Sequence, residues 1–345
     1  MDNKAKCFNG GCYQRYLTEM ETIEIVACTD HQFIMPTGVM MCSVCKNNHD
    51  QALRFHVIID ESVTEEDKAD LKIVAEEMPV MFYIVDGQAF HSMPLIAGLS
   101  HATYYRLLIP QILPKDVHKA LYLDSDTIVR HSLRSIWETD ILGYAIAAVT
   151  DGDESFIEKY NRQRYSPSLG YFNAGVLLIN LHYWRTNNIH NEIESYIVNH
   201  FESIRCCDQD ILNYVLREKK KTLPIKYNTQ SQFLFVLEKI GYDYWKYEKE
   251  VAEARKDPVI IHYTLAIGKP WIEGCIHPYK SSFLKYQNET KWKGHLWSKP
   301  RRPFLTKVFF HTKNVVWRAL QYVRLQKDTF TQKDNIFFLE MSPID

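Results

Sequence analysis

Short apolar runs recur along this chain, and most of them stop at a polar residue. They are IEIVACT (23–29), LRFHVIID (53–60), VMFYIVD (80–86), KALYLD (119–124), YAIAAVTD (144–151), GYFNAGVLLINL (170–181) and PVIIHYT (258–264). Each reads as a buried strand. Segments of helical character separate them. Pro36 opens one that runs to about residue 47. Ser62 and Glu65 have the spacing of a capping box and predict a helix to about Glu77. TYYRLLIPQIL (103–113) is helical at first and ends near Pro114. A helix is expected from about Tyr183 to Phe201, and DQDILNYVL (208–216) opens another. This alternation predicts an α/β fold with a mostly parallel sheet covered on both faces. In such sheets ligands bind at the carboxyl ends of the strands.

The chain has 345 residues, 46% of them apolar, enough for one large α/β domain with or without an appendage. Its formal charge of −1 favours neither nucleic acid nor an acidic partner, but the charge is unevenly spread. Ten Lys or Arg and no Asp or Glu lie between Lys291 and Lys327, so the rest of the chain carries a net −11. We therefore expect a loose N-terminal extension (1–19), a main domain (20–288) and a basic, aromatic C-terminal segment (289–345). Met20 is an alternative start. No run of 18 apolar residues is present, and MDNKAKCFNGGCYQRYLTE lacks the apolar region of a signal peptide, so a cytosolic protein is expected. The eight cysteines then read as free thiols. Cys42 and Cys45, with His49 nearby, have a redox or zinc spacing, but nothing completes a tetrahedral site, and both read as buried helix residues.

In KALYLDSDTIV two aspartates, Asp124 and Asp126, stand two apart at a strand's carboxyl end. If strand geometry persists, both carboxylates point to one side. Two like charges aimed at one spot are costly unless a cation sits between them. Oxygen ligands select Mg²⁺ or Mn²⁺, commonly bridged to substrate phosphates. A solvated turn with two acids is the competing reading of the tripeptide alone. Asp30, Asn173 and His262 also end or follow apolar strands and belong to the same edge. His262 as a nitrogen ligand would favour Mn²⁺, against the plainer reading of a satisfied core histidine. Lys269, in GKPW, is placed to neutralise a leaving phosphate, or else is a solvated loop lysine.

From about Ile23 to Tyr286 the sequence resembles glycosyltransferase family 8, which includes bacterial lipooligosaccharide galactosyltransferases and glycogenin. LYLDSDTIV, YFNAGVLLINL, DQDILN and HYT…GKPW, in that order, carry the resemblance. It implies a GT-A fold with one Rossmann-like domain, a UDP-hexose donor, Mn²⁺ or Mg²⁺, and transfer with retention. By position, Asp124, Asp126 and His262 look like the metal ligands. Asp30 looks like the uracil-binding acid, flanked by Cys28 and Gln32. Arg106, Ser125, Asn173 and Ala174 match nucleotide and donor-sugar contacts. Asp208 and Gln209 match residues beneath the sugar, with Gln209 close to the reacting carbon. Asp151 matches an acid near the acceptor. Gly268 and Lys269 match the diphosphate loop. The family's usual His-x-x-Gly-x-x-Lys-Pro-Trp is altered here: Leu265 replaces the glycine and the lysine comes one residue later. Cys28 and Gln32 replace the commoner Ala and Asn.

An amide such as Gln209 is a poor nucleophile, which favours front-face transfer with the departing phosphate as base. Asp151 or Asp208 as a covalent nucleophile remains the alternative. The expected acceptor is a lipopolysaccharide-type or other surface glycan, free or lipid-linked. Trp292, Trp297, Phe304, Phe309, Phe310, Trp317 and Tyr322 interleave with the basic residues of 291–327. That composition suits an anionic membrane surface, predicting a peripheral protein on the inner face of the cytoplasmic membrane. Packing on the chain's own domain competes with this reading, and no nucleic-acid partner is expected. Other functions open at this point are a nucleotide-sugar hydrolase, a nucleotidyltransferase, or a non-catalytic sugar-nucleotide-binding protein.

Overall fold

The computed structural model describes residues 21–96, 99–152, 157–234, 247–264 and 268–297. The seven apolar runs form the strands they predict, and three short strands at 127–129, 220–222 and 229–230 join them. In chain order these are β1 (Ile23–Thr29), β2 (Leu53–Ile59), β3 (Val80–Ile84), β4 (Lys119–Leu123), β5 (Thr127–Val129), β6 (Ile146–Thr150), β7 (Phe172–Asn180), β8 (Lys220–Thr222), β9 (Thr229–Gln230) and β10 (Ile260–His262). Seven of them make one sheet in the order β3-β2-β1-β4-β7-β6-β8. The pairs β3–β2, β2–β1, β1–β4 and β6–β8 are parallel; β7 alone runs against both its neighbours. The remaining three form a small sheet, β5-β10-β9.

Alternation along β1 shows why the strands are apolar throughout. Ile23, Ile25 and Ala27 enter one core with Met40, Met41 and Val44 of the helix Ile34–Asn47. Val26 and Cys28 enter the opposite core, with Ile193 and Tyr196 of the helix Ile189–His200 and Ile211 and Leu212 of the helix Cys207–Leu216. Both faces are covered, as parallel sheets require. Cys42 and Cys45 are buried in the Ile34–Asn47 helix, and neither is disulfide-bonded.

Three local expectations are corrected. The first concerns the second helix, Glu65–Val74, which is capped not by Ser62 and Glu65 but by Thr64 and Asp67: the Thr64 hydroxyl accepts from Asp67 N–H (3.1 Å) and Asp67 accepts from Thr64 N–H (2.9 Å). Ser62 is taken up two residues earlier, donating its N–H to Asp60 (2.9 Å). A second correction is to the helix expected over 183–201, which is two helices, Leu181–Thr186 and Ile189–His200. Asn188 between them has φ +52°, a left-handed conformation that Asn tolerates and a continuous helix does not. Finally, strand geometry does not persist through Asp124 and Asp126. The chain turns there, passing from β4 in the large sheet to β5 in the small one.

Most of the basic C-terminal segment and all of 1–19 lie outside the described residues. The two aromatics that are described face the domain. Trp292 packs into the core around the Ile34–Asn47 helix, and Trp297 lies edge-on to Phe33 and Trp271, 5.7 Å from each ring. Lys291 pairs with Asp70 and Glu66. No helix among the described residues is long and apolar enough to cross a membrane.

The Trp292 ring occupies the space over Gly38, where a Cβ would come within 2.2 Å of it. We predict that Gly38→Ala costs about 1–3 kcal/mol in urea unfolding through overpacking. In a Trp292→Ala background the sign should invert to a gain of about 0.5–1 kcal/mol, the helix preference of Ala over Gly. Equal effects in both backgrounds would show that the ring does not sit on this helix.

Candidate active site

The carboxyl ends of β1, β4 and β6 lie on one edge of the large sheet. Because β7 is antiparallel, its beginning reaches that same edge. Gly175 carbonyl accepts from Asp124 N–H at 2.8 Å, so Asn173, Ala174 and Gly175 lie beside the turn Asp124-Ser125-Asp126. β10 adds His262 from the small sheet, where it pairs with Thr127 of β5 and Gln230 of β9.

Asp124, Asp126 and His262 converge at this turn, each offering a ligand atom within 4.8 Å of the other two. His262 Nε2 is 3.5 Å from Asp124 Oδ2 and 3.0 Å from Asp126 Oδ1. The other oxygen of each acid is anchored to the protein. Asp124 Oδ1 accepts from Arg106 Nη2 (2.7 Å) and Tyr122 Oη (2.6 Å), while Asp126 Oδ2 pairs with Lys269 Nζ. Burial opposes the Asp126 charge, but Lys269 and His262 outweigh it and hold the carboxyl well below the usual carboxylate range. The Ser125 hydroxyl bonds the Thr37 hydroxyl (2.8 Å) and the Cys28 carbonyl (3.3 Å), tying the turn to β1.

Gly175 makes the convergence possible. A Cβ there would stand 2.1 Å from His262 Cε1 and 2.6 Å from Asp124 Oδ2. Two carboxylate oxygens and an imidazole nitrogen, each steadied from behind, suit a hard or borderline divalent cation of the Mg²⁺ or Mn²⁺ type.

A second group of polar side chains continues the site. Arg106 is buried and bridges two acids: it reaches Asp124, lies 3.1 Å from Asp208 through Nε, and donates to the Ala174 carbonyl (2.6 Å). Burial disfavours its charge, but Asp124 and Asp208 hold it protonated. Asp208 receives the Thr103 hydroxyl on Oδ1, whereas Oδ2 accepts no hydrogen bond among the described residues. Burial lifts its carboxyl to about 6, against the pull of Arg106. Gln209 accepts from Ala174 N–H (3.0 Å) and Asn173 Nδ2 (3.2 Å) and donates to Asp151 (3.1 Å). Asp151 also pairs with Lys159 at 2.8 Å. Cys207, just before these two residues, has φ +51°. Asp210 clamps the bend by accepting the N–H groups of Arg205 (2.7 Å) and Cys206 (2.6 Å) along with Arg162 and Tyr171.

The remaining expected residues lie on the same rim. Asp30 caps the short turn after β1, accepting Phe33 N–H at 3.0 Å, and Gln32 in that turn is exposed. Cys28 is buried at the end of β1, and burial pushes its thiol far up. Gly268 is buried next to Lys269, while the altered loop at Leu265 lies outside the described residues. Sequence reasoning missed Gly175, Tyr122, Thr37, Thr103 and Asn228. Gly175 and Tyr122 lay within quoted motifs and Thr103 opened a quoted segment without being singled out; Asn228 accepts His262 Nδ1 at 2.9 Å from a stretch with no signature.

Comparison with known proteins places these observations. Residues 24–275 match the family described as glycosyl transferase family 8. General stress protein A of Bacillus subtilis is 27% identical over 79% of this chain and 95% of its own length. A lipopolysaccharide 1,3-galactosyltransferase of Salmonella typhimurium is 27% identical over 80% of each chain. The lipopolysaccharide glucosyltransferase WaaO of Escherichia coli is 28% identical over 82% of this chain and 83% of its own. Among solved structures, the galactosyltransferase LgtC with donor and acceptor sugar analogues superposes with TM-score 0.69 at 24% identity, covering 83% of this chain and 99% of that one. The fold is thus the GT-A fold.

Two predictions follow from the geometry. Gly175→Ala should leave the chain folded but lower divalent-metal affinity by about tenfold or more, because His262 must move; calorimetric titration with Mn²⁺ tests it, and unchanged affinity would refute the packing argument. Asp208 binds its proton more tightly folded than unfolded, so it favours the native state below pH about 4 and loses that contribution as pH rises through about 6. The stability of the wild type relative to Asp208→Asn should therefore fall by up to about 3 kcal/mol across that window. A flat difference would mean that Asp208 is not held protonated.

Proposed function

The chain belongs to glycosyl transferase family 8, and from that premise we propose that it is a metal-dependent, retaining hexosyltransferase. It moves galactose or glucose from a UDP-sugar to a lipopolysaccharide-type or other surface glycan. The observation that carries this reading is the convergence of Asp124, Asp126 and His262 at the carboxyl edge of the sheet. The lipopolysaccharide galactosyl- and glucosyltransferases among its relatives support the choice of hexose and acceptor.

In this reading Asp124, Asp126 and His262 hold Mn²⁺ or Mg²⁺. A divalent cation so held supplies Lewis-acid stabilisation to the departing diphosphate. Cys28, Asp30 and Gln32 receive the uracil. Arg106, Ser125, Asn173 and Ala174 line the ribose and donor sugar. Lys269, with Gly268 beside it, gives up Asp126 for the phosphates and contributes its own charge to the leaving group. Asp208 and Gln209 lie beneath the sugar and Asp151 faces the acceptor.

The local pairings favour front-face transfer. Asp208 is engaged by Thr103 and Arg106, and Asp151 by Lys159 and Gln209. A carboxylate already matched to a cation is a weaker nucleophile, and the Gln209 amide is weaker still. The acceptor hydroxyl then passes its proton to a leaving phosphate oxygen on the face the phosphate departs from. The protein works at the cytoplasmic face of the membrane, held there by the basic segment beyond the domain.

Asp126→Asn should lower the rate of UDP release from UDP-galactose or UDP-glucose by about 10²–10³, the usual cost of one charge-stabilising contact. Sugar appearing on an acceptor glycan separates transfer from simple hydrolysis. The reading fails if the wild type with Mn²⁺ neither binds UDP nor turns over any UDP-sugar. Removing residues 298–345 should release the protein from anionic vesicles; unchanged sedimentation would refute the membrane role.

A further inference from the structure

Resting on the metal-binding reading above, we propose that Asn228 is a positioning residue: it fixes which nitrogen of His262 faces the metal site and ties that ring to the amide of Gln209. Two backbone N–H groups of β7, which can only donate, fix the orientation of the side-chain amides around them. Gly175 N–H donates to one amide atom of Asn173 at 3.0 Å, so that atom is the oxygen. The Asn228 atom lying 2.8 Å from it must then be the nitrogen, Nδ2. The other amide atom of Asn228 is therefore oxygen, and it lies 2.9 Å from His262 Nδ1. Nδ1 must carry a hydrogen to make that bond. In the neutral ring this leaves the lone pair on Nε2, the atom turned toward Asp124 and Asp126.

The second N–H, of Ala174, identifies Gln209 Oε1 in the same way. Asn173 Nδ2 then donates to that oxygen (3.2 Å), and Gln209 Nε2 to Asp151 (3.1 Å). One chain of hydrogen bonds thus runs from Asp151 and Gln209 through Asn173 and Asn228 to His262. Every amide in it can take only one orientation. Asn228 is fully buried and bonds both Asn173 and His262 directly. It comes from the residue just before β9, which pairs with β10 and so sits beside His262.

The two bonds of Asn228 can be separated by substitution. Asn228→Asp keeps an acceptor for Nδ1–H but replaces the donor that faces Asn173. Asn228→Ala removes both. Spectra of ¹⁵N-histidine-labelled, metal-free protein, taken above the pH at which the His262 signal stops shifting, read the tautomer of the neutral ring; His262→Gln assigns the signal. We expect Nδ1–H in the wild type and in Asn228→Asp, and mixed tautomers in Asn228→Ala. Mn²⁺ affinity, followed by the paramagnetic resonance of the free ion, should fall about 10- to 100-fold in the alanine variant and stay within about threefold in the aspartate variant. The aspartate variant should still lose turnover, because Asn173 and Gln209 are no longer tied. Should the alanine chain not fold, Asn228→Ser, whose hydroxyl is too short to reach Nδ1, gives the same reading. A residue needed only for folding would lower the melting temperature without changing the tautomer. A wild-type ring protonated on Nε2, or equal Mn²⁺ affinity in wild type and alanine variant, overturns the proposal. A wild type with the expected tautomer but no Mn²⁺ binding would instead defeat the metal reading and leave this assignment standing.

Discussion

Three carboxylates, Asp124, Asp126 and Asp208, share one desolvated rim with two permanent cations, Arg106 and Lys269. The rest of the site is arranged around that imbalance. Each metal-facing acid has one oxygen anchored to a cation and turns the other to His262. The two buried acids at opposite ends respond in opposite directions. Asp126, against an ammonium and an imidazole, is held ionised, while burial pushes Asp208, which shares Arg106 with Asp124, up to about 6. A single guanidinium between two carboxylates is itself strongly favoured in its charged form, yet it cannot fully compensate both partners. The described side chains thus leave negative charge in excess where Asp124, Asp126 and His262 converge.

Sheet topology determines which residues meet there. Parallel β1, β4 and β6 deliver their carboxyl ends to the rim, and with them Cys28, Asp124 and Asp151. A parallel β7 would have carried Asn173, Ala174 and Gly175 to the far edge. Its reversal places the start of that strand, rather than its end, beside the Asp124 turn. The switch from β4 to β5 does for the acids what an extended strand could not. The turn bends the two carboxylates toward a histidine contributed by a separate, smaller sheet.

Much of this was legible in the sequence because it rests on local pattern. Uniformly apolar strands announce a sheet buried on both sides, and Asp124, Asp126, Asn173, Gln209 and His262 stand in or beside segments with recognisable periodicity. The features that were misread depend on competition between neighbours. Ser62 and Thr64 are both capping residues with an acid three positions on, and only the fold decides that Thr64 and Asp67 form the box. Asn188 looks helix-compatible until its left-handed backbone breaks the helix in two. Gly175 and Asn228 were invisible as site residues, because one acts through the absence of a side chain and the other through partners 34 and 55 residues away. Tyr122 is the instructive exception in distance: it lies two residues before Asp124 on β4, yet only the turn brings its hydroxyl back onto that carboxylate.

Lys269 neutralises Asp126 from the side away from His262. Its ammonium is bonded to Asp126 Oδ2, the oxygen that does not face His262. It therefore neutralises the acid without standing between the acid and the histidine, and the three ligand atoms remain convergent with the lysine in place. The Arg106 guanidinium is held by the Ala174 and Thr103 carbonyls as well as by the two acids, and it is stacked 4.4 Å from the Tyr122 ring centre. The site thus divides its positive charge between a guanidinium that bridges two acids and an ammonium paired with one.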